Sequence, residues 1–157
     1  MLFRHRSSVK MFYDWDWKGA EAGIRRALEL NPGELTAHQS YGALLTALGR
    51  FHEAERQLAL FLEAHPESAD ARFYRGVSLL MLGRTAEAAP PLMAAIEIGE
   101  SRTREEARWY LALGFLKQDE PGKALEQLDV LATSPGHRRS EADKLRQEVR
   151  TRSPGQQ

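Results

Sequence analysis

Apolar residues in the stretch Ala37 to Pro66, AHQSYGALLTALGRFHEAERQLALFLEAHP, recur at three- and four-residue spacing in two runs. A Gly49-Arg50 step separates the runs, and Pro66 closes the second. This pattern predicts two amphipathic helices, about Glu34 to Leu48 and Phe51 to Ala64, each with one apolar stripe. A single hairpin of that size is too thin to bury its stripe, so the pattern calls for copies of itself. Sliding the chain by 34 residues supplies them, with Ala20 over Ala54 over Ala88, Gly42 over Gly76, Gly49 over Gly83 and Pro32 over Pro66.

The remaining segments fit that period with local departures. Residues 1–33 read as an incomplete copy: Leu2 to Tyr13 stands where a first helix belongs, but Arg4, His5, Arg6, Ser7 and Ser8 interrupt its face. Asp16 is placed to cap the next helix, Trp17 to Leu30, which Asn31-Pro32-Gly33 ends. Full copies occupy 34–67 and 68–101, the latter with Ser68 as cap and helices over Ala69 to Leu82 and Thr85 to Ile98. Pro90-Pro91 falls about one turn into that last helix, which predicts a kink or a delayed start. A divergent copy covers 102–136. It has a first helix over Thr103 to Gln118 and a second starting at Asp119-Glu120-Pro121, and Ala124 follows Ala88 by 36 residues rather than 34. Residues 137–152 carry Ala142, Leu145 and Val149 on one side of an otherwise charged helix, as the cap of a repeat array requires, and 153–157 form a tail.

Composition narrows the classes of function. The 157 residues are 42% hydrophobic and 28% charged, which fits a folded chain. Lys plus Arg and Asp plus Glu both number 22, so no global field draws in nucleic acid or an anionic membrane surface. No apolar run is long enough for a membrane span, and the first residues lack the apolar core of a signal peptide. The absence of cysteine removes disulfides, thiolate metal sites and a Cys nucleophile, and fits a cytoplasmic setting.

Candidate chemistry is sparse. His5, His38, His52, His65 and His137 have no partner at metal-ligand spacing, and no Gly-rich phosphate loop, nucleophile elbow or catalytic carboxylate pair is present. The sequence therefore implies no enzyme, cofactor or metal. The basic run His137, Arg138, Arg139, Lys144, Arg146, Arg150 and Arg152 is interleaved with Glu141, Asp143 and Glu148, the mark of a solvated capping helix. Trp15 and Trp17 read as packing at the entrance to a second helix.

These residues resemble the tetratricopeptide repeat family. Tyr41-Gly42, Leu45, Gly49, Ala54, Leu58, Phe61 and Pro66 are similar to one full copy, and Gly76, Leu79, Gly83, Ala88, Leu92 and Ala95 to another. Residues 103 to 136 match less closely through Leu111, Ala112, Phe115, Ala124, Leu128 and Leu131. Two short stretches, Tyr13 to Trp17 leading to Pro32, and Arg108 to Gly114, are similar to bacterial branches of the family. The resemblance implies an all-α, right-handed superhelical solenoid of about four antiparallel helix pairs plus a C-terminal capping helix. Its inner groove, lined by the first helix of each pair, would hold a peptide or helix.

Carried onto this chain, that groove comprises Thr36, Gln39, Ala43 and Thr46, then Asp70, Phe73, Val77, Leu80 and Met81, then Glu106, Trp109, Leu113, Leu116 and Lys117. The Lys, Asn and Arg that other members use to clamp acidic C-termini are missing, since Gln39, Ser40, Ala43, Asp70 and Tyr74 stand there. Phe73, Val77, Leu80, Trp109 and Leu113 point instead to an apolar ligand such as an amphipathic helix. Trp109 and Phe73 can equally pack between neighbouring helices.

The implied function is a non-enzymatic scaffold for a protein or peptide partner. The alternative is a regulatory appendage of a bacterial transcription regulator, nucleotide cyclase or other signalling protein, and self-association through the N-terminal edge is a further expectation. The packing assignment makes its own prediction. Ala54→Leu should overfill the contact between paired helices and cost about 1–3 kcal/mol, read as a lower melting temperature.

Overall fold

The computed structural model describes residues 16–153. Among these the chain is helical, with no strand: α1 Trp17–Leu30, α2 Leu35–Ala47, α3 Phe51–Ala64, α4 Ala69–Met81, α5 Thr85–Ile98, α6 Ser101–Lys117, α7 Pro121–Thr133 and α8 Arg139–Arg152. The expected helix over Leu2 to Tyr13, Trp15 and most of the 153–157 tail lie outside the described residues.

Successive helices pack as antiparallel neighbours, and the first helices of adjacent pairs also touch, α2 on α4 and α4 on α6. No comparable contact joins α3 to α5 or α5 to α7. The array is therefore wedge-shaped in section, with α2, α4 and α6 on its inner side.

The small residues decide how closely each pair approaches. A Cβ added to Gly42 would lie 2.5 Å from Cγ of Leu58, and one on Gly76 would lie 2.6 Å from Cγ of Leu92. Leu58 and Leu92 thus insert against bare backbone of the facing helix, and both are fully buried. In the divergent copy Ala112 takes the glycine's place beside Leu128, and both are again buried. Ala54, Ala88 and Ala124 are buried at the reciprocal positions of α3, α5 and α7. Ala20 is only partly buried, packed with Trp17, Ile24 and Leu28 against the first core cluster. A hydroxyl pair crosses between repeats: Thr46 donates to the carbonyl of Gly42 at 2.8 Å, which leaves Ser78, buried completely, to donate to Thr46 at 3.1 Å.

The turns follow from backbone hydrogen bonding. Gly49 and Gly83 sit at φ +76° and +77°. Arg50 N–H bonds to the carbonyl of Leu45 and Gly49 N–H to that of Thr46, the pairing that ends a helix through a left-handed residue. Arg84 and Gly83 repeat it on Leu79 and Leu80. In the divergent copy Glu120 and Asp119 make the same bonds to Phe115 and Leu116, with Asp119 at φ +57° where a glycine stood before. Asp16 accepts from Gly19 N–H at 2.7 Å and Ser68 from Ala71 N–H at 3.2 Å, so both caps are as the sequence predicted.

Two sequence expectations need correction. Pro90 and Pro91 do not delay α5, which starts at Thr85 and runs to Ile98 with both prolines inside it. Ala88, Leu92 and Ala95 are buried along one side of it, and that packing holds the helix where two backbone donors are lost. The first helix of the divergent copy begins at Ser101 rather than Thr103, and this α6 is 17 residues long, against 13 in α2 and α4.

Asp119→Gly should stabilise the fold by about 0.5–1 kcal/mol, because only glycine occupies that left-handed position without steric cost. Equilibrium urea unfolding with an unchanged slope is the measurement, and a lower midpoint would contradict it.

Candidate functional site

The inner face is built from one side of each of α2, α4 and α6. On α2, Gln39, Ala43 and Thr46 are half-buried, and Thr36 is exposed. On α4, Asp70 is exposed and accepts a hydrogen bond from Thr103 at 2.7 Å. Phe73 is half-buried, and Met81 is 45% exposed. Val77 and Leu80 retain only 7% and 1% of their accessible surface. They form the floor under this face, because α4 lies between two other first helices and its flanks are covered from both sides. On α6, Trp109, Leu113 and Leu116 are half-buried and Lys117 is exposed.

Packing brings some of these residues together through neighbours the sequence reading passed over. The Phe73 ring meets Tyr110 edge-on at 5.8 Å and Tyr74 at 5.3 Å, so an aromatic group spans α4 and α6. The signal was present: Phe73-Tyr74 and Trp109-Tyr110 are offset by 36 residues, the same offset that relates Ala88 to Ala124. Gln39-Ser40 holds the matching place in α2, so the aromatic character is confined to α4 and α6.

Trp109 has a second partner. The Arg138 guanidinium lies 5.0 Å above its ring, where the electron-rich face attracts a cation. Arg138 also grips Glu106 with Nε to Oε1 at 3.0 Å and Nη2 to Oε2 at 2.9 Å. Its backbone N–H donates to Glu105 at 2.6 Å, and His137 bridges Glu105 and Glu106. The start of α8 is thereby fastened over one end of the inner face. This corrects the reading of the terminal basic run as merely solvated, since Arg146 and Arg150 also meet Asp129, at 3.2 and 2.9 Å. Ala142 and Val149 are buried beneath them.

Charged groups join the other pairs as well. Arg50 in the turn before α3 reaches Glu53 at 2.6 Å and Glu21 of α1 at 2.7 Å, and Tyr41 donates to the same Glu21 oxygen at 2.8 Å. Tyr41 and Arg50 hold the Glu21 carboxyl below its ordinary range. Arg75 and Glu55 join α4 to α3 at 3.1 Å. Among the described residues no group of three or more His, Asp or Glu is placed to hold a metal ion. No described helix is long and apolar enough to cross a membrane.

Arrays of helix pairs that expose their first helices on an inner side form one class, the helical-repeat solenoids. Within it, this chain resembles the tetratricopeptide repeat family, whose pattern matches residues 42–103. The fold is similar to the crystal structure of YrrB, "a TPR protein with an unusual peptide-binding site", at a TM-score of 0.72 and 24% identity. That match covers 96% of this chain and 74% of YrrB. It is similar to MamA at 0.71 and 20%, covering 92% and 93%. A MamA RS-1 double mutant gives 0.77 and 17%, covering 98% and 84%. Among curated proteins, no sequence matches significantly.

The α8 contact has a pH signature. Burial alone would raise the Glu106 carboxyl, but Arg138 and His137 outweigh it and hold the pKa below the usual range. With a lowered folded pKa, the contribution of Glu106 is complete above the unfolded value of about 4.3 and fades as pH falls through the folded one. Protection factors for amide exchange in α8 should therefore fall below about pH 4, and Glu106→Gln should lower them already at neutral pH. A flat profile in the native protein would contradict the assignment.

Proposed function

We propose that the chain is a non-enzymatic scaffold that holds an amphipathic helix or extended peptide on its inner face, in a cytoplasmic setting. One observation carries the reading: the aromatic group of Phe73, Tyr74 and Tyr110 is only half-buried, and Leu113, Leu116 and Met81 on the same two helices are also partly exposed. Such a surface presents large apolar side chains on rigid helices, so a ligand gains contact area while the scaffold loses little entropy. The peptide-binding site of the similar YrrB fold supports the same reading. The groove residues of the proposal are Gln39, Ala43, Thr46, Asp70, Phe73, Met81, Trp109, Leu113, Leu116 and Lys117, with Val77 and Leu80 beneath.

The similar folds do not favour the alternative of an appendage to a regulator or cyclase. Self-association through the N-terminal edge is a separate reading, favoured by α1, where Ala20, Ile24 and Leu28 stay partly exposed and Leu30 is open.

Affinity capture from the native cell identifies the partner, and titration with its bound segment tests the face. Phe73→Ala and Leu113→Ala should each weaken binding by about 1 kcal/mol or more. Full affinity in the double variant would exclude the inner face.

A further inference from the structure

Two arginines of α6 are explained neither by the inner face nor by the α8 contact. Arg104 and Arg108 stand one turn apart, on a different face of α6 from Trp109 and Leu113, and line a cleft of about 190 Å³ against the end of α7. Elsewhere the partly buried Arg50, Arg75, Arg138 and Arg146 each meet a carboxylate. Among the described residues these two meet none. Arg104 caps the last carbonyls of α5, donating to Ile96 at 3.1 Å and Gly99 at 3.0 Å. Arg108, half-buried, donates only to the neutral amide oxygen of Gln127, at 2.8 Å. Glu105 also borders the cleft, but its carboxylate is taken up by His137 and the backbone of Arg138.

Like charges four residues apart on a helix repel, and a partly buried cation without a counter-charge costs stability. Burial first, and Arg104 second, push the pKa of Arg108 below its ordinary range. An incoming carboxylate would relieve both, and the guanidinium fork offers it two parallel donors. The opposite wall is apolar: Val130 is 40% exposed, beside Pro135. The hydroxyls of Ser101 and Ser134 border the same space.

We propose that this cleft between α6 and α7 is a second binding site, which receives a carboxylate side chain of an acidic peptide on Arg108 and Arg104, with an adjoining apolar side chain against Val130. The site stands apart from the inner face and does not depend on its being a groove.

The test uses the full chain and a fluorescein-labelled peptide of alternating Leu and Glu, read by anisotropy. Binding should weaken as salt is raised. Arg108→Gln should lower affinity about tenfold or more, and Arg108→Lys by less, since it keeps the charge and loses the fork. Val130→Glu, at an exposed helix position, places a like charge in the cleft and should have an effect similar to Arg108→Gln, and serves even if that variant folds poorly. Met93→Ala, at an exposed position of α5 outside both surfaces, should leave the affinity unchanged. Equal binding by Val130→Glu and the native chain, or equal binding of a peptide with Gln in place of Glu, would each overturn the proposal.

Discussion

The insertion of one leucine per pair into a gap left by a missing side chain governs the rest of the structure. Leu58 enters at Gly42 and Leu92 at Gly76, at distances where no Cβ fits. Because the leucine meets backbone, the paired helices come close enough to exclude water, and Ala54 and Ala88 close the same contact from the other side. Dispersion forces fall off steeply with separation, so a gap of even part of an ångström would forfeit much of this attraction. The divergent copy meets the same demand with Ala112, at the cost of one methyl group in the seam.

A linear array distributes that contact along the chain. Each pair packs on its neighbours, and three successive core clusters run through the described residues. Polar links then fix how one pair sits on the next. The hydroxyl pair of Thr46 and Ser78 joins α2 to α4, Arg75 with Glu55 joins α4 to α3, and Arg50 with Tyr41 holds Glu21 of α1. The last link is different in kind. Arg138 combines a stacked contact on Trp109 with a bidentate hold on Glu106, so a residue that could serve as a ligand anchor also secures the end of the array.

The chain thus shows two surfaces of opposite character on α6. One continues the aromatic face of α4 through Tyr110, and the other gathers cations that no carboxylate of the described chain neutralises. The extra length of α6 contributes to the second surface alone, since Ser101 and Arg104 extend past the length that α2 and α4 reach.

Helix identity, order and most boundaries were legible in the sequence, because apolar spacing, caps and Gly-Arg turns are local properties that recur at a fixed period. The contact between paired helices was legible too, since the only way to read Gly42, Gly76 and the alanines at one register is as close approach. The candidate site was legible only in part. A helical pattern gives the direction in which Phe73, Val77 and Leu80 point, but not what stands beside them, and the neighbouring first helices cover the last two. Likewise the left-handed Asp119, the partnership of Arg138 with Trp109 and the lack of a counter-charge at Arg108 depend on residues far away in the chain. Sequence by itself determined the repeating unit, because one turn of helix carries its own signal; only the tertiary structure decided which side chains remain free, because exposure is a property of neighbours brought together by packing.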